Sequence, residues 1–482
     1  MMTHPDDVLP LAGRLRALFR KTGYTADGVD ALLGPVASAA LGRNDLVPAL
    51  QAASGDSPLA VLVRLFLLGR DEPEQGAAFL PAEVLEPVGS DRVRAALDLR
   101  PHESDWWVAA DASGRTPTVD HVIGIGAAST TLLAATLSRP ADRALDIGTG
   151  CGIQALHLTR TAQRVTATDA VPRAVAMARL SFALSGLEPD AVELLTGDLL
   201  SPVAGREFEL VVCNPPFVLA PPGPDALAYR DAADDGQLAR LLGEAAMALA
   251  PGGVAELLTS WVIRAGESWQ EPPAGMLPSG GDALVTLREI LDPAEHVALW
   301  RDDKPEPGAT QRALRWLEHV QRLGAEGIAY GMVVLRRTDA EPRLRFLDLR
   351  AERKSPTGRR LEGWLDRAAI ARECGDAAMD SLHLRVAGDV RLIEESEPGE
   401  GGWTPVQRHL TRAAALPETV AVDPTTAALL AGCDGQLPLG AIAELLAVAT
   451  GAPADGVRRV ARQLYETGHL EIHPPHDVSP TG

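Results

Sequence analysis

From Arg143 onward the chain alternates strand-length apolar runs with helix-length ones, and few folds accommodate that rhythm. "RALDI" is a short apolar strand, "GTGCG" a glycine turn and "IQALHLT" a helix. "RVTATD" is a second strand, followed by the helix "VPRAVAMARLSFALSG"; "AVELLTGD" and "FELVVCN" are a third and a fourth. The helix "DGQLARLLGEAAMALA" ends at Pro251-Gly252-Gly253, and "VAELLTSWV" is a fifth strand. "HVALW" and "GIAYGMVVLRR" are expected as two more. Strands separated by helices at this spacing pair in parallel, so the expected class is α/β with a doubly wound, mainly parallel sheet.

The flanks follow other patterns. Residues 5 to about 100 read as short helices, because "VLPLAGRLRALF" and "PLAVLVRLFLLG" repeat apolar residues at helical spacing. "AALDLRPHESDWWVAADAS" reads as two strands joined by a polar turn, with Trp106 and Trp107 as buried aromatics rather than exposed stacking platforms. A helix is expected in the second half of "DHVIGIGAASTTLLAATLSR". Beyond about residue 340 the alternation stops. Residues 343–372 hold nine Arg or Lys against four Asp or Glu, the one basic stretch. The tail then reads as helix, turn, helix, helix and strand over about 423–473, an order that resembles a winged helix. The expected domains are a helical one at 1–100, the sheet domain at 101–340 and an α+β accessory domain at 341–482.

With 482 residues the chain is too long for one ordinary core. Its start, "MMTHPDDVLP", has no apolar signal region, and the most apolar window, 59–69, is too short to span a bilayer and contains Arg64. A cytoplasmic protein without membrane contact is expected. Cys151, Cys213, Cys374 and Cys433 are far apart and form no CxxC pair, so neither a disulfide framework nor a metal site is expected. A net charge of −20 argues against non-specific grip on nucleic acid, although a local basic patch suffices for a specific one.

Three features fall at the ends of consecutive strands. Asp146, Gly148, Thr149, Gly150 and Gly152 lie between the first strand and its helix, where glycines permit close backbone approach and free N–H groups face a ligand. Asp169, followed by Ala170, closes the second strand 21 residues beyond Gly148, where a carboxylate can accept from both ribose hydroxyls. Asp198 and Leu199 follow the third. Alone, a glycine turn serves a dinucleotide, a nucleoside or merely a bend, and Asp169 alone is an ordinary surface cap; the set together points to a nucleoside cofactor. NAD is the rival, but a dehydrogenase has no use for "NPPF" after the fourth strand.

"ALDIGTGCGIQAL", "ATD", "TGD" and "NPPF", in this order and spacing, resemble class I S-adenosylmethionine-dependent methyltransferases of the group that methylates planar nitrogens: release-factor glutamine, and the exocyclic amines of adenine or guanine. The resemblance covers about residues 120–340, and the flanks look like an actinobacterial group of such enzymes. It implies a Rossmann-like, seven-stranded methyltransferase sheet and S-adenosylmethionine as cofactor. It also implies that Asp146 and the glycine loop hold the methionine part, that Asp169 binds the ribose, and that Asp198 with Leu199 faces the adenine. Asn214 and Pro215 would then accept hydrogen bonds from the reacting NH₂ group, Pro216 would stiffen the corner, and Phe217 would stack on the acceptor. His121, Tyr229 and Arg230 lie where such enzymes cover cofactor and substrate, and a capped helix start or solvated loop explains them as well.

The acceptor stays open. An RNA base amine suits the basic segment and the winged-helix order; a glutamine amide of a protein suits an acidic enzyme with a helical N-terminal domain; a small molecule is a further alternative. A regulator that binds the cofactor without catalysis is disfavoured by the intact "NPPF".

Overall fold

The computed structural model describes residues 4–43, 45–103, 105–112, 117–223, 226–278, 280–301, 308–352, 356–399 and 401–473. Eight strands form its largest sheet: β1 (Ala141–Ile147), β2 (Ala162–Asp169), β3 (Val192–Thr196), β4 (Phe208–Cys213), β5 (Leu249–Arg264), β6 (Gly281–Leu291), β7 (Ala325–Arg337) and β8 (Leu344–Asp348). Their spatial order is β3-β2-β1-β4-β5-β7-β6-β8. β1 through β5 run parallel, β7 is antiparallel to both neighbours, and β8 is parallel to β6. The order turns back between β1 and β4, the place where open α/β sheets bind ligands at their carboxyl ends.

Two expectations for this sheet need correction. "HVALW" belongs to a helix, Pro293–Trp300. Asp292 accepts from the N–H groups of Ala294 and Glu295, the Glu295 carboxylate accepts from the Asp292 N–H, and proline occupies the first turn, so local capping overrides β-prone composition. The strand beside β7 is instead β6, and β8 makes the count eight rather than seven.

Helix Gly236–Ala248 lays Leu238, Leu241, Leu242 and Ala245 on the core formed by Val211, Cys213, Ala255, Leu257 and Trp261 of β4 and β5. Helix Pro172–Ser185 is covered from outside by a hairpin, Leu97–His102 with Trp106–Asp111. Serines on the helix satisfy the hairpin's backbone: Ala109 N donates to Ser181 Oγ at 2.9 Å, and Trp107 N to Ser185 Oγ at 3.1 Å. Trp107 is fully buried against Phe19 and gives its indole N–H to the Tyr24 carbonyl, whereas Trp106 is only half-buried. The expected N-terminal helices are present, but residues 85–95 depart from that reading: Leu85–Val88 and Arg92–Ala95 pair as antiparallel strands. The apolar window at 59–69 is a buried helical segment, and among the described residues no helix is long and apolar enough to cross a membrane.

The chain divides into two units, residues 1–133 with 140–350, and 134–139 with 351–482. In the second, helices Pro424–Gly432, Leu439–Thr450 and Ala454–Glu466 bury Leu429, Ile442, Ala443, Val457 and Leu464 together. Strands Asp434–Pro438 and Leu470–Ile472 flank His383–Val386. The helix order is that of a winged helix, but the central strand comes from upstream of its first helix.

Candidate active site

The register of the parallel strands sets the site. Ile147 pairs with Thr168 and with Cys213, and Asp169 pairs with Thr196, so Gly148, Asp169, Gly197 and Asn214 leave the sheet along one edge. Gly148, Gly150 and Gly152 all have positive φ, at 69°, 55° and 86°. They are not equivalent. A Cβ on Gly148 or Gly150 would meet nothing within 4 Å, whereas one on Gly152 would lie 2.9 Å from Phe182 and 3.0 Å from the Ala178 Cβ. Gly152 thus serves helix packing, and the other two leave the loop bare on its open side.

The loop is pinned from below by Asp146. This carboxylate is 1% exposed and accepts from Thr149 Oγ at 2.6 Å and Ala155 N at 3.0 Å through one oxygen. Burial pushes it up to about 7, against the pull of those two bonds. Asp169 fastens the same loop from the side, accepting from Gly150 N and Val171 N at 2.9 Å each. Burial raises it too, and the two bonds partly offset that. Ala170 beside it is exposed. Asp198 is turned outward, 63% exposed, onto Arg240 at 2.6 Å. Leu199 next to it adopts φ 44° and gives its carbonyl to Thr168 Oγ, a left-handed conformation that β-carbon crowding makes uncommon.

At the end of β4, Asn214 is half-buried and its Oδ1 is a buried acceptor with no hydrogen-bond partner. Leaving such a group unmet costs about 1–3 kcal/mol. The corner that holds it is rigid. Pro215 is buried, the Phe217 carbonyl accepts from Ser260 Oγ, and the Phe217 ring meets Trp300 and Tyr330 edge to face at 6.3 and 6.2 Å. Pro215, Pro216 and Phe217 line a cavity with Asp234, Asp235, Thr259 and Ser260.

Sequence reasoning missed what stands behind this corner. His296 is fully buried and bridges the Tyr330 hydroxyl at 2.6 Å and the Leu219 carbonyl at 2.8 Å; Trp316 Nε1 donates to the same carbonyl and Trp300 Nε1 to the same hydroxyl. The only signal for it was the density of aromatics over 296–330.

The residues expected to cover cofactor and substrate divide. His121 packs its ring on Tyr229 at 5.5 Å, and its Nδ1 lies 3.7 Å from Asp111, itself in a buried ion pair with Arg173. Desolvation lowers the His121 pKa, with Asp111 opposing. Arg230 is committed to Asp231 at 2.6 Å, the Trp300 carbonyl and the Trp316 ring, so it braces the wall.

Strand order, glycine loop and acids at successive strand ends define a class I S-adenosylmethionine-dependent methyltransferase domain. Comparison with known proteins agrees: residues 124–260 match the family described as "Methyltransferase small domain". Residues 21–109 and 362–470 match two families described as "Domain of unknown function", DUF7059 and DUF7782. The release factor glutamine methyltransferase of Deinococcus radiodurans is 43% identical over 125 residues, 23% of this chain and 43% of that protein. The ribosomal RNA small subunit methyltransferase C of Alcanivorax borkumensis is 32% identical over 118 residues, 24% of this chain and 32% of that protein. The ribosomal protein L11 methyltransferase of Geobacter sulfurreducens is 46% identical over 80 residues, 16% of this chain and 25% of that protein. The chain thus spans less than half the length of each of these relatives.

Proposed function

We propose that the protein transfers a methyl group from S-adenosylmethionine to a planar NH₂ group of a macromolecule, an RNA base amine. The observation that carries the reading is the unmet Asn214 Oδ1 at the tip of β4, one strand from the glycine loop. The residues of the loop fit the cofactor: Gly148 and Gly150 are bare on the open side, and the Asp169 carboxylate stands at the β2 tip. Asp146 and the loop would hold its methionine part, Asp169 its ribose, and Leu199 its adenine, with Asp198 turned away to Arg240.

When bound, S-adenosylmethionine supplies a methyl group already activated on a sulfonium. An NH₂ group conjugated to a ring or carbonyl is a poor nucleophile, because its lone pair is delocalised. Asn214 Oδ1 and the Pro215 carbonyl would accept from its two N–H groups, which favours the pyramidal nitrogen on which positive charge develops. Fixed acceptors of this kind act because they need no reorganisation when that charge appears. Pro215 and Pro216 hold the angle, and the His296–Tyr330–Trp300 network stops the corner from relaxing onto its own acceptor.

The RNA reading is supported by the winged-helix order of the second unit. The basic stretch supports it less than its sequence suggested. Residues 343–372 are divided between the two units, Arg350 is paired with Asp348, and Arg367 turns inward to the Glu466 carbonyl. A second reading, a glutamine amide in a protein, is favoured by the 43% identity to a release factor glutamine methyltransferase. Incubation of the purified protein with tritiated S-adenosylmethionine and lysate, divided between RNase and protease, separates them. Label lost to RNase alone supports an RNA amine, and label lost to protease alone a protein acceptor. No label above an Asn214→Ala control removes both.

A further inference from the structure

Away from the cofactor edge, three ligand-type side chains converge on one point. His102 ends the strand Leu97–His102, Glu103 follows it with φ 51°, and His157 lies in helix Ile153–Leu158. The Nε2 atoms of His102 and His157 are 2.8 Å apart. Glu103 Oε1 is 3.5 Å from His157 Nε2 and 4.0 Å from His102 Nε2. Donor atoms about 2.0–2.1 Å from a tetrahedral ion stand about 3.3–3.4 Å from one another, a value these three distances bracket.

The surroundings hold the three donors in orientation. Trp106 stacks on His102 at 6.5 Å and meets His157 edge to face at 5.1 Å. Arg160 lies 4.0 Å above the Trp106 ring and donates to Glu103 Oε2, leaving Oε1 turned towards the imidazoles. A carboxylate fixed through its second oxygen and rings fixed by packing are how ligands are commonly oriented around an ion. Two imidazoles and a carboxylate with one position left open are a zinc-type donor set.

We propose that His102, Glu103 and His157 bind one divalent transition-metal ion, zinc by preference. The ion would join the hairpin over helix Pro172–Ser185 to the helix that springs from the glycine loop. That helix follows Gly152 directly and carries the Ala155 N–H that anchors Asp146, so the clip would stiffen the cofactor loop from behind. Cysteine spacing gave no hint of it, because the two histidines are 55 residues apart in the chain and meet only on folding.

The test uses the full-length chain, untagged and stripped with chelator, titrated with Zn²⁺ against a chromophoric competitor and separately with Co²⁺. Wild type is expected to take up one ion, to show Co²⁺ visible bands, and to melt at higher temperature with Zn²⁺. His102→Ala with His157→Ala should weaken uptake at least about a hundredfold and abolish the bands; Glu103→Gln should weaken it about 10–100-fold. His157→Gln, which keeps a polar side chain of similar reach, serves if the double variant fails to fold. Wild type that takes up no ion overturns the proposal, leaving a hydrogen-bonded histidine pair. So does a folded variant that binds as tightly as wild type. The readout is metal uptake, so it stands whether or not methyl transfer is found.

Discussion

The glycine loop and the Asn-Pro-Pro corner stand on adjacent strands, yet their polar groups are met in opposite ways. In the loop every carboxylate is tied to the protein itself: Asp146 to Thr149 and Ala155, Asp169 to Gly150 and Val171. In the corner the side-chain acceptor of Asn214 is buried and unmet. On the function proposed above, the contrast separates two tasks. A cofactor cradle needs a shape that survives without ligand, and internal bonds supply it. An acceptor aimed at a reacting N–H must be kept from bonding its own chain, and prolines with an aromatic bracket do that.

The sharpest way to break the comparison is at Asn214. Asn214→Ala should lower kcat by about 10²–10³-fold, the range seen when one preorganised electrostatic group is removed, while the cofactor Kd from calorimetry stays nearly level. A change confined to Kd would move Asn214 into the cradle. Asp169→Ala should do the reverse, weakening cofactor binding by about 1.5–3 kcal/mol through loss of charge-assisted bonds. Equal affinity there would take Asp169 out of the site. Within the loop, Gly152→Ala should destabilise by about 1–3 kcal/mol through the clash with Phe182 and Ala178, read as a fall in Tm. Gly150→Ala, with open space before it, should owe its loss to φ strain and to the ligand rather than to packing.

A separate prediction concerns pH. Burial pushes the folded Asp146 carboxyl up to about 7 from its ordinary value of 3.8, so between those values the folded protein binds the extra proton. Its contribution therefore falls as pH rises through that window, by at most about 1.4 kcal/mol per unit. The difference in unfolding free energy between wild type and Asp146→Asn, followed from pH 4.5 to 7.5 without cofactor, should decline with that sign. A flat difference would mean that Asp146 is ionised throughout.

Much of the sheet was legible because its signals are local. A short apolar run, a glycine turn and a helical repeat are each written within about ten residues, and β1 to β5 follow from them. β6 was not, since "GDALVTLREIL" resembles many half-buried stretches and its pairing with β7 is fixed by distant residues, from Ile328 opposite Leu291 to Arg337 opposite Gly281. "HVALW" misled for the opposite reason: composition favoured a strand, and the Asp292 capping box with Pro293 decided for a helix. Asp198 shows the same limit within the site, where a short side chain at the expected strand end is drawn outward to Arg240 on a later helix.

What the sequence determined by itself, then, is the order of strands and helices from β1 to β5, the bare glycine loop and the stiff Asn-Pro-Pro corner, because φ limits and side-chain periodicity act between near neighbours. Only the tertiary structure decided which acceptors are met and which are left open. The unmet oxygen of Asn214, the His296 network behind it and the meeting of His102 with His157 all depend on burial. Burial is set jointly by segments that the chain keeps far apart until it folds.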